Sequence, residues 1–176
     1  MSLINILIAV DGITLAEQVR DGSIKKGSLN NPTSLKSWKE SDVYISMISQ
    51  HSNVVNDGGK SELKISANAG DSIDWAMTTF GNNSDYTAFL YAGHFTPSSA
   101  IVPSGLTYFN SQIDEHLPNN SKVLTKYTNN VYLAQGTVVK VGVSIQYTLS
   151  FQLVDNTTRE VIGYFYWDPF IDVNNA

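Results

Sequence analysis

The chain has 176 residues, a formal net charge of -5 at pH 7, 15% charged residues and no cysteine. This length predicts that residues 1–176 form a single domain, and the lack of cysteine excludes disulfides, a thiolate nucleophile and a cysteine zinc site. The acidic balance argues against nucleic acid as a partner, because phosphate contacts need clustered Lys and Arg.

The start of the chain is predicted to form a strand and a short helix, followed by a long connection. Residues 4–10 are apolar and largely β-branched, which is typical of a buried strand. Residues 14–17 have the spacing of a capping box and predict a helical turn up to Arg20. The polar residues 22–40 indicate a long connection over the surface.

The middle of the chain predicts short strands separated by turns. The strands are expected at residues 42–48, 62–67, 71–77 and 86–91, with turns at residues 56–59 and 82–85. Residues 97–105 predict a loop, and residues 107–116 fit either a strand or a helix. Two further strands, residues 122–127 and 130–133, are expected around a turn at Asn129 and Asn130.

The longest alternating pattern runs from Thr137 to Val154, with apolar residues at nearly every odd position. A period of two is typical of a strand with one face in a core. One strand of this length would span roughly 55 Å, so we expect a bulge or bend at Gly142, where the strand passes from one sheet to the other. Residues 160–167 predict the last strand, closed by Asp168 and Pro169.

Roughly nine short strands with little helix predict an all-β fold, a single antiparallel β-sandwich with a long early loop. A closed barrel is the alternative. Trp75 and Trp167 lie in strand patterns, and we expect both in the core or at its rim.

Three sequence blocks carry a family resemblance. They are INILIAVD at residues 4–11, GDSIDW at residues 70–75 and GYFYWDPFI at residues 163–171. In this order and at these distances, the blocks resemble the inclusion-body protein family, the PixA and AidA proteins, nearly from end to end of the chain.

The resemblance implies a soluble bacterial protein that is often made at high level late in growth. Some relatives accumulate as crystalline inclusions in the cytoplasm, and the family has no established enzymatic activity. Inclusion-forming relatives can be methionine-rich, and this chain departs from them with only three Met. The resemblance supplies no catalytic motif.

Several polar and aromatic residues are candidates for ligand binding. Asn82, Asn83 and Asp85 could hydrogen-bond sugar hydroxyls beside a stacking tyrosine, although Asn and Asp also suit a plain hairpin turn. Trp38 is either an anchor that packs the long loop back onto the sheet or a ligand contact. His94 is either a ligand contact or base, or a hydrogen-bonded loop histidine.

Two acids are candidates for a metal site. Asp11 and Asp168 each end a strand near a chain terminus. If the first and last strands were neighbours, these carboxylates could bind a hard cation such as Ca²⁺ together with loop carbonyls. The alternatives are a loop cap at Asp11 and a turn before Pro169 at Asp168.

The sequence favours a non-enzymatic protein, since it contains neither a Gly-x-Ser-x-Gly nor a His-Glu-x-x-His motif. The main hypothesis is recognition of a carbohydrate or another surface through loops of the sandwich. The alternative is a self-assembling inclusion or storage protein, since a weakly charged surface offers little repulsion between copies. We expect a homodimer or larger assembly, no membrane span and a cytoplasmic location, with signal-independent export left open.

Overall fold

The computed structural model describes residues 1–36, 38–118 and 122–173. Within these ranges it contains one α-helix, α1 (Gly12–Arg20), and twelve strands. The strands are β1 (Leu3–Val10), β2 (Thr33–Ser34), β3 (Ile45–Ser49), β4 (Val54–Asn56), β5 (Lys64–Ala67), β6 (Ser72–Thr79), β7 (Tyr86–Thr96), β8 (Ile101–Pro118), β9 (Leu124–Val138), β10 (Ser144–Asp155), β11 (Val161–Trp167) and β12 (Phe170–Val173). Short 3₁₀ turns cover Ser41–Val43, His51–Asn53 and Ser98–Ala100.

The strands form two sheets. The first has the order β3-β1-β6-β9-β8. The second is built on β10, which pairs with β7 along one edge and with β11 and β12 along the other. Strand β2 extends this sheet beside β11, and β5 followed by β4 extends it beside β12.

The prediction of a β-rich fold with little helix is confirmed, and the strands form two separate sheets rather than a closed barrel. The prediction of nine strands that are all antiparallel is wrong. Strand β1 runs parallel to β6, β2 to β11 and β5 to β12. Parallel neighbours need a long crossover between them, and local alternation of residues does not record a crossover.

The long alternating pattern is two strands rather than one. Strand β9 ends at Val138 in the first sheet, and β10 begins at Ser144 in the second. Gly142 lies between them with a φ of 63°, a conformation that glycine adopts at little cost. The predicted passage from one sheet to the other at Gly142 is therefore confirmed, whereas the continuous strand of roughly 55 Å is not.

Other predicted boundaries need correction. The helix is capped by Asp11 rather than opened by a box at residues 14–17, because the Asp11 carboxylate accepts hydrogen bonds from the Thr14 amide and hydroxyl. The long early connection is present with β2 inside it, although Ser37 lies outside the described residues. The predicted strand at residues 42–48 begins only at Ile45.

In the second half of the chain the strands are longer than predicted. Most of the expected loop at residues 97–105 belongs to β8, and no turn interrupts β9 at Asn129 and Asn130. Strand pairing is interrupted at Asp168 and Pro169, and the next residues form β12 along the same edge of β10. Strand β11 is therefore not the last strand.

The core between the sheets is aromatic, and both tryptophans predicted to lie there are fully buried. Trp75 of the first sheet packs against Phe95 and Tyr147 of the second, with ring centroids 5.9 and 5.7 Å apart. The indole of Trp167 donates a hydrogen bond of 3.0 Å to the Ser61 carbonyl. These contacts fix the distance between the sheets.

Asp71 joins the start of β1 to the start of β6. Its buried carboxylate accepts hydrogen bonds from the amides of Ser2, at 2.6 Å, and Asn68, at 2.9 Å. Burial alone would raise the pKa of this carboxyl, but the amide donors and the N-terminal ammonium outweigh it, so the pKa lies below its ordinary value of 3.8.

We expect Asp71→Asn to lower the free energy of unfolding by about 1–3 kcal/mol at neutral pH. The backbone amides of Ser2 and Asn68 each donate to one carboxylate oxygen, and in the variant the side-chain NH₂ group would face one of these donors. Since the folded-state pKa is lowered, the stability from Asp71 is present above the ordinary pKa and is lost as the pH falls through the folded-state pKa. Urea unfolding at a series of pH values checks this. A difference between wild type and variant that stays constant through the acid range would contradict it.

Candidate functional site

The first sheet splits where β9 leaves β6. The ladder between these strands ends at the pair of Ala76 and Leu133, so the following residues of β6 have no partner in β9. Beyond this point the described residues of β9 pair with β8 alone. An open cleft of about 440 Å³ lies in the split, and its lining comes from β1, the β6–β7 turn, β6, β7, β8 and β9.

One wall of the cleft is aromatic. The ring of Phe89 lies 4.8 Å from that of Tyr132 and 6.3 Å from that of Tyr108, between centroids. Tyr108 and Tyr132 are stacked at 6.0 Å. Tyr132 is 48% exposed, so this wall offers an open aromatic face to a ligand.

The Tyr108 hydroxyl is buried and has no hydrogen-bond partner among the described residues. Burial, with smaller contributions from Tyr132 and Tyr91, raises the pKa of Tyr108 to about 12. The phenol is therefore protonated at neutral pH and keeps a donor without an acceptor. A buried polar group of this kind costs free energy until a partner arrives.

The rim of the cleft is polar but uncharged. None of the residues that line it is Asp, Glu, Lys, Arg or His. The turn predicted at residues 82–85 is confirmed, with Asn82 and Asn83 at φ values of 52° and 56°. The Asn83 amide oxygen accepts hydrogen bonds from the amides of Thr79, at 2.9 Å, and Ala88, at 3.2 Å. Asn83 therefore holds the turn, and Asn82 is exposed beside it.

The other ligand candidates lie outside this cleft. Asp85 lines a separate small pocket. His94 lies within β7 rather than in a loop, exposed and opposite Thr148. Trp38 anchors the long connection through its backbone, since its amide donates a 2.6 Å hydrogen bond to Glu62, while its side chain is 56% exposed.

The two metal candidates are not brought together. Asp11 shares a small pocket with Tyr86, whose partner on β10 is Asp155. Asp168 accepts a 2.9 Å hydrogen bond from Gln146, which lies at the other end of β10 from Asp155. At about 3.3 Å per residue, Gln146 and Asp155 are roughly 30 Å apart along this strand. The premise that the first and last strands are neighbours is wrong, because they lie in different sheets. Among the described residues, no three His, Asp or Glu side chains lie close enough to hold a metal ion.

The aromatic wall of the cleft was not predicted from the sequence. Phe89, Tyr108 and Tyr132 lie on three different strands, and their spacing along the chain does not indicate that they meet. The one available signal was residues 107–116, whose mixed period indicates a strand with apolar residues on both faces.

Beyond the split, the hairpin forms an arm, which we define as Ser111 to Pro118 of β8 and Leu124 to Val131 of β9. In the described part of the chain these segments pair only with each other. Residues paired across an antiparallel ladder share a face, and neighbours along a strand alternate. One face of the arm is polar and contains an ion pair of 2.7 Å between Asp114 and Lys126. The other face, which we call the apolar face, carries Ile113, Leu117, Tyr127 and Val131. It also contains Ser111, Thr125 and a hydrogen-bonded pair in which the Asn129 side-chain amide donates to the Glu115 carboxylate at 2.7 Å.

The apolar face of the arm continues across the outer face of the first sheet. The ladders align one residue from each strand, a set that we call the apolar row: Ile48, Leu7, Ala76, Leu133 and Phe109. Ile48 is 53% exposed and Leu7 44% exposed. The row and the arm together form one extended apolar strip on the surface of the molecule.

These features define a two-layer β protein with an uncharged cleft and a projecting amphipathic hairpin. The profile of the PixA family, described as inclusion body protein, matches residues 2–173, and the chain belongs to this family. The resemblance seen in the three sequence blocks is thereby confirmed.

A solved member of the family has the same fold. The crystal structure of the inclusion body protein PixA from Burkholderia cenocepacia J2315 has a TM-score of 0.73 to this chain at 19% identity, covering 98% of this chain and 95% of that chain. The solution structure of amebosin has a TM-score of 0.30 to this chain at 12% identity, covering 63% of this chain and 88% of that chain, and this score is too low to indicate a common fold. No curated protein matched the chain. Among the described residues, no helix has the length and apolar character needed to cross a membrane.

We expect Asn83→Ala to lower the free energy of unfolding by about 1–3 kcal/mol, because the substitution leaves the amides of Thr79 and Ala88 without their acceptor. Asn82→Gly is the matched control and should change stability by less than about 0.5 kcal/mol, since Asn82 is exposed and glycine accepts its positive φ. Thermal and urea unfolding of the two variants give the comparison. Equal stability of both would show that the Asn83 amide does not hold the turn.

Proposed function

We propose that this protein is a non-enzymatic, self-assembling protein of the cytoplasm, in which copies pack through the apolar strip. The observation that carries the proposal is the continuity of the apolar row with the apolar face of the arm. Membership in a family described as inclusion body protein supports the same conclusion.

The arm supports self-assembly because its two strands, in the described part of the chain, pair with each other alone. A two-stranded ribbon is marginally stable in water unless a third strand or a packed surface covers it. Ile113, Leu117 and Tyr127 leave between 38% and 48% of their surface exposed on the same face. Covering these three side chains against the strip of a second copy would remove their apolar surface from water. Glu115 lies on the same face and would keep its hydrogen bond from Asn129 within the contact.

The charge distribution adds to this support. Only 15% of residues are charged, so like-charge repulsion between copies is weak. The ion pair of Asp114 and Lys126 lies on the opposite face of the arm, where it stays in water when the apolar face is covered, and Glu115 is the one charged residue that the described arm places on the apolar face. Strand β8 is also the edge of its sheet, and within the described ranges it pairs with β9 alone.

Carbohydrate recognition, the main hypothesis from the sequence, has weaker support. A sugar site needs several converging polar groups that are free to bind. The Asn83 amide oxygen is already used in the turn, and Trp38, Asp85 and His94 do not line the cleft. We therefore rank self-assembly ahead of sugar binding.

We expect Ile113→Lys to shift self-association to a concentration about tenfold higher or more, because a charge would replace buried apolar surface in the contact. Gln112→Lys is the matched control, since it introduces the same charge at the neighbouring residue on the polar face. Light scattering coupled to size exclusion, over a wide range of protein concentrations, measures both. Circular dichroism melting confirms that each variant is folded.

Two results would overturn the proposal. One is a wild-type protein that remains monomeric at the highest attainable concentration. The other is an equal shift for the two variants, which would locate the contact away from the apolar strip.

A further inference from the structure

We propose that the cleft between β6, β7 and the β8–β9 hairpin binds a small, neutral molecule that combines aromatic rings with a carbonyl oxygen. This inference goes beyond self-assembly. The cleft shares Leu7, Ala76 and Val131 with the apolar strip, so its test is made on the unassembled protein.

The dimensions of the cleft suit a small molecule. Its volume of about 440 Å³ falls within the range of roughly 300–1,000 Å³ that is usual for small-molecule sites. Most of the lining residues belong to strands. A ligand would therefore meet walls held by backbone pairing, which limits the ordering of the chain that opposes binding.

The aromatic wall of the cleft favours a ligand that contains an aromatic ring. Phe89, Tyr108 and Tyr132 present ring faces within 4.8 to 6.3 Å of one another between centroids. Aromatic pairs are attractive in offset-stacked and tilted arrangements, so a planar ring would add favourably to this group. Most of the other lining residues are aliphatic, Leu7, Met77 and Leu90 among them.

The absence of charged residues from the lining selects a neutral ligand. A carboxylate or ammonium group would lose its hydration in the cleft and gain no opposite charge there. Such a loss is far more costly than the transfer of a neutral ring.

The Tyr108 hydroxyl favours a ligand that contains a carbonyl oxygen. Its hydroxyl is the buried side-chain group that lacks a partner among the described residues, and its ring forms part of the aromatic wall. A protonated phenol can donate one hydrogen bond, and a carbonyl oxygen accepts one without bringing a further donor into the cleft. Because the hydroxyl itself is buried, the carbonyl oxygen would reach it by a displacement of the Tyr108 side chain toward the cleft, and the new hydrogen bond would satisfy a group whose cost is already present in the free protein.

The test uses benzophenone, a neutral diaryl ketone, at a protein concentration below that of any self-association. Diphenylmethane has the same two rings without the oxygen, and 4-benzoylbenzoate adds a negative charge. Saturation-transfer NMR titrations compare the three. We expect benzophenone to bind roughly tenfold more tightly than diphenylmethane, and 4-benzoylbenzoate to bind more weakly than benzophenone.

Tyr108→Phe tests the proposed hydrogen bond. We expect this variant to bind benzophenone no more tightly than diphenylmethane. Its melting temperature should not fall, because the substitution removes an unpaired buried hydroxyl. Tyr127→Phe is the control, since Tyr127 lies on the arm outside the cleft and its variant should keep the preference for the ketone.

Near-ultraviolet irradiation of the benzophenone complex followed by peptide mapping locates the site. Cross-links to peptides that contain Phe89, Tyr108 or Tyr132 are expected. The proposal is overturned by the absence of benzophenone binding, by equal affinity for benzophenone and diphenylmethane, by an unchanged preference in Tyr108→Phe, or by cross-links confined to residues of the arm that do not line the cleft.

Discussion

Trp75 is fully buried between the two sheets and sets how closely they can approach. Its indole contacts the rings of Phe95 and Tyr147 and donates a weak hydrogen bond of 3.5 Å to the Tyr147 hydroxyl. A side chain of this size holds the sheets apart while filling the space between them. Strand β9 passes close to Trp75 at Gly136. A Cβ atom on Gly136 would lie 3.5 Å from the Trp75 ring and 2.7 Å from the Ile101 side chain. Glycine is thus required where the first sheet closes over its core.

The cleft and the arm follow from the end of this packed region. After the pair of Ala76 and Leu133, β6 continues toward its turn and β9 leaves with β8. The space between the diverging strands becomes the cleft, and the hairpin that has lost its neighbour becomes the arm. An uncovered ribbon and an unpaired Tyr108 hydroxyl are both unfavourable in the isolated molecule. Both are relieved by a partner, a second copy for the arm and a small ligand for the cleft.

The sequence predicted the features that one strand can encode by itself. The buried residues of β10 occupy the odd positions of the alternating pattern, and Gly142 marks the passage between sheets. Residues 107–116 could not be assigned, because β8 meets two environments. Tyr108 packs against the aromatic wall near the start of the strand, whereas in the arm Ile113 alternates with polar residues on an exposed face. The parallel pairs and the cleft were not predictable, since Phe89, Tyr108 and Tyr132 meet only after the sheets have formed. The candidate residues Asn82 and Asn83 do reach the cleft, although Asn83 is held there by its role in the turn.

The two proposed contacts share residues, and this makes them interdependent. Leu7 and Ala76 belong to the apolar row on the outer face, and they also line the cleft. A second copy that covers the row would therefore close one side of the cleft. A neutral aromatic ligand in the cleft would in turn add apolar surface beside the row and enlarge the area available for packing. Coupling between two binding events is reciprocal, so a ligand that favours assembly must itself be bound more tightly by the assembled protein. The split of one sheet at Ala76 would then connect the concentration of a small molecule to the assembly of the whole protein.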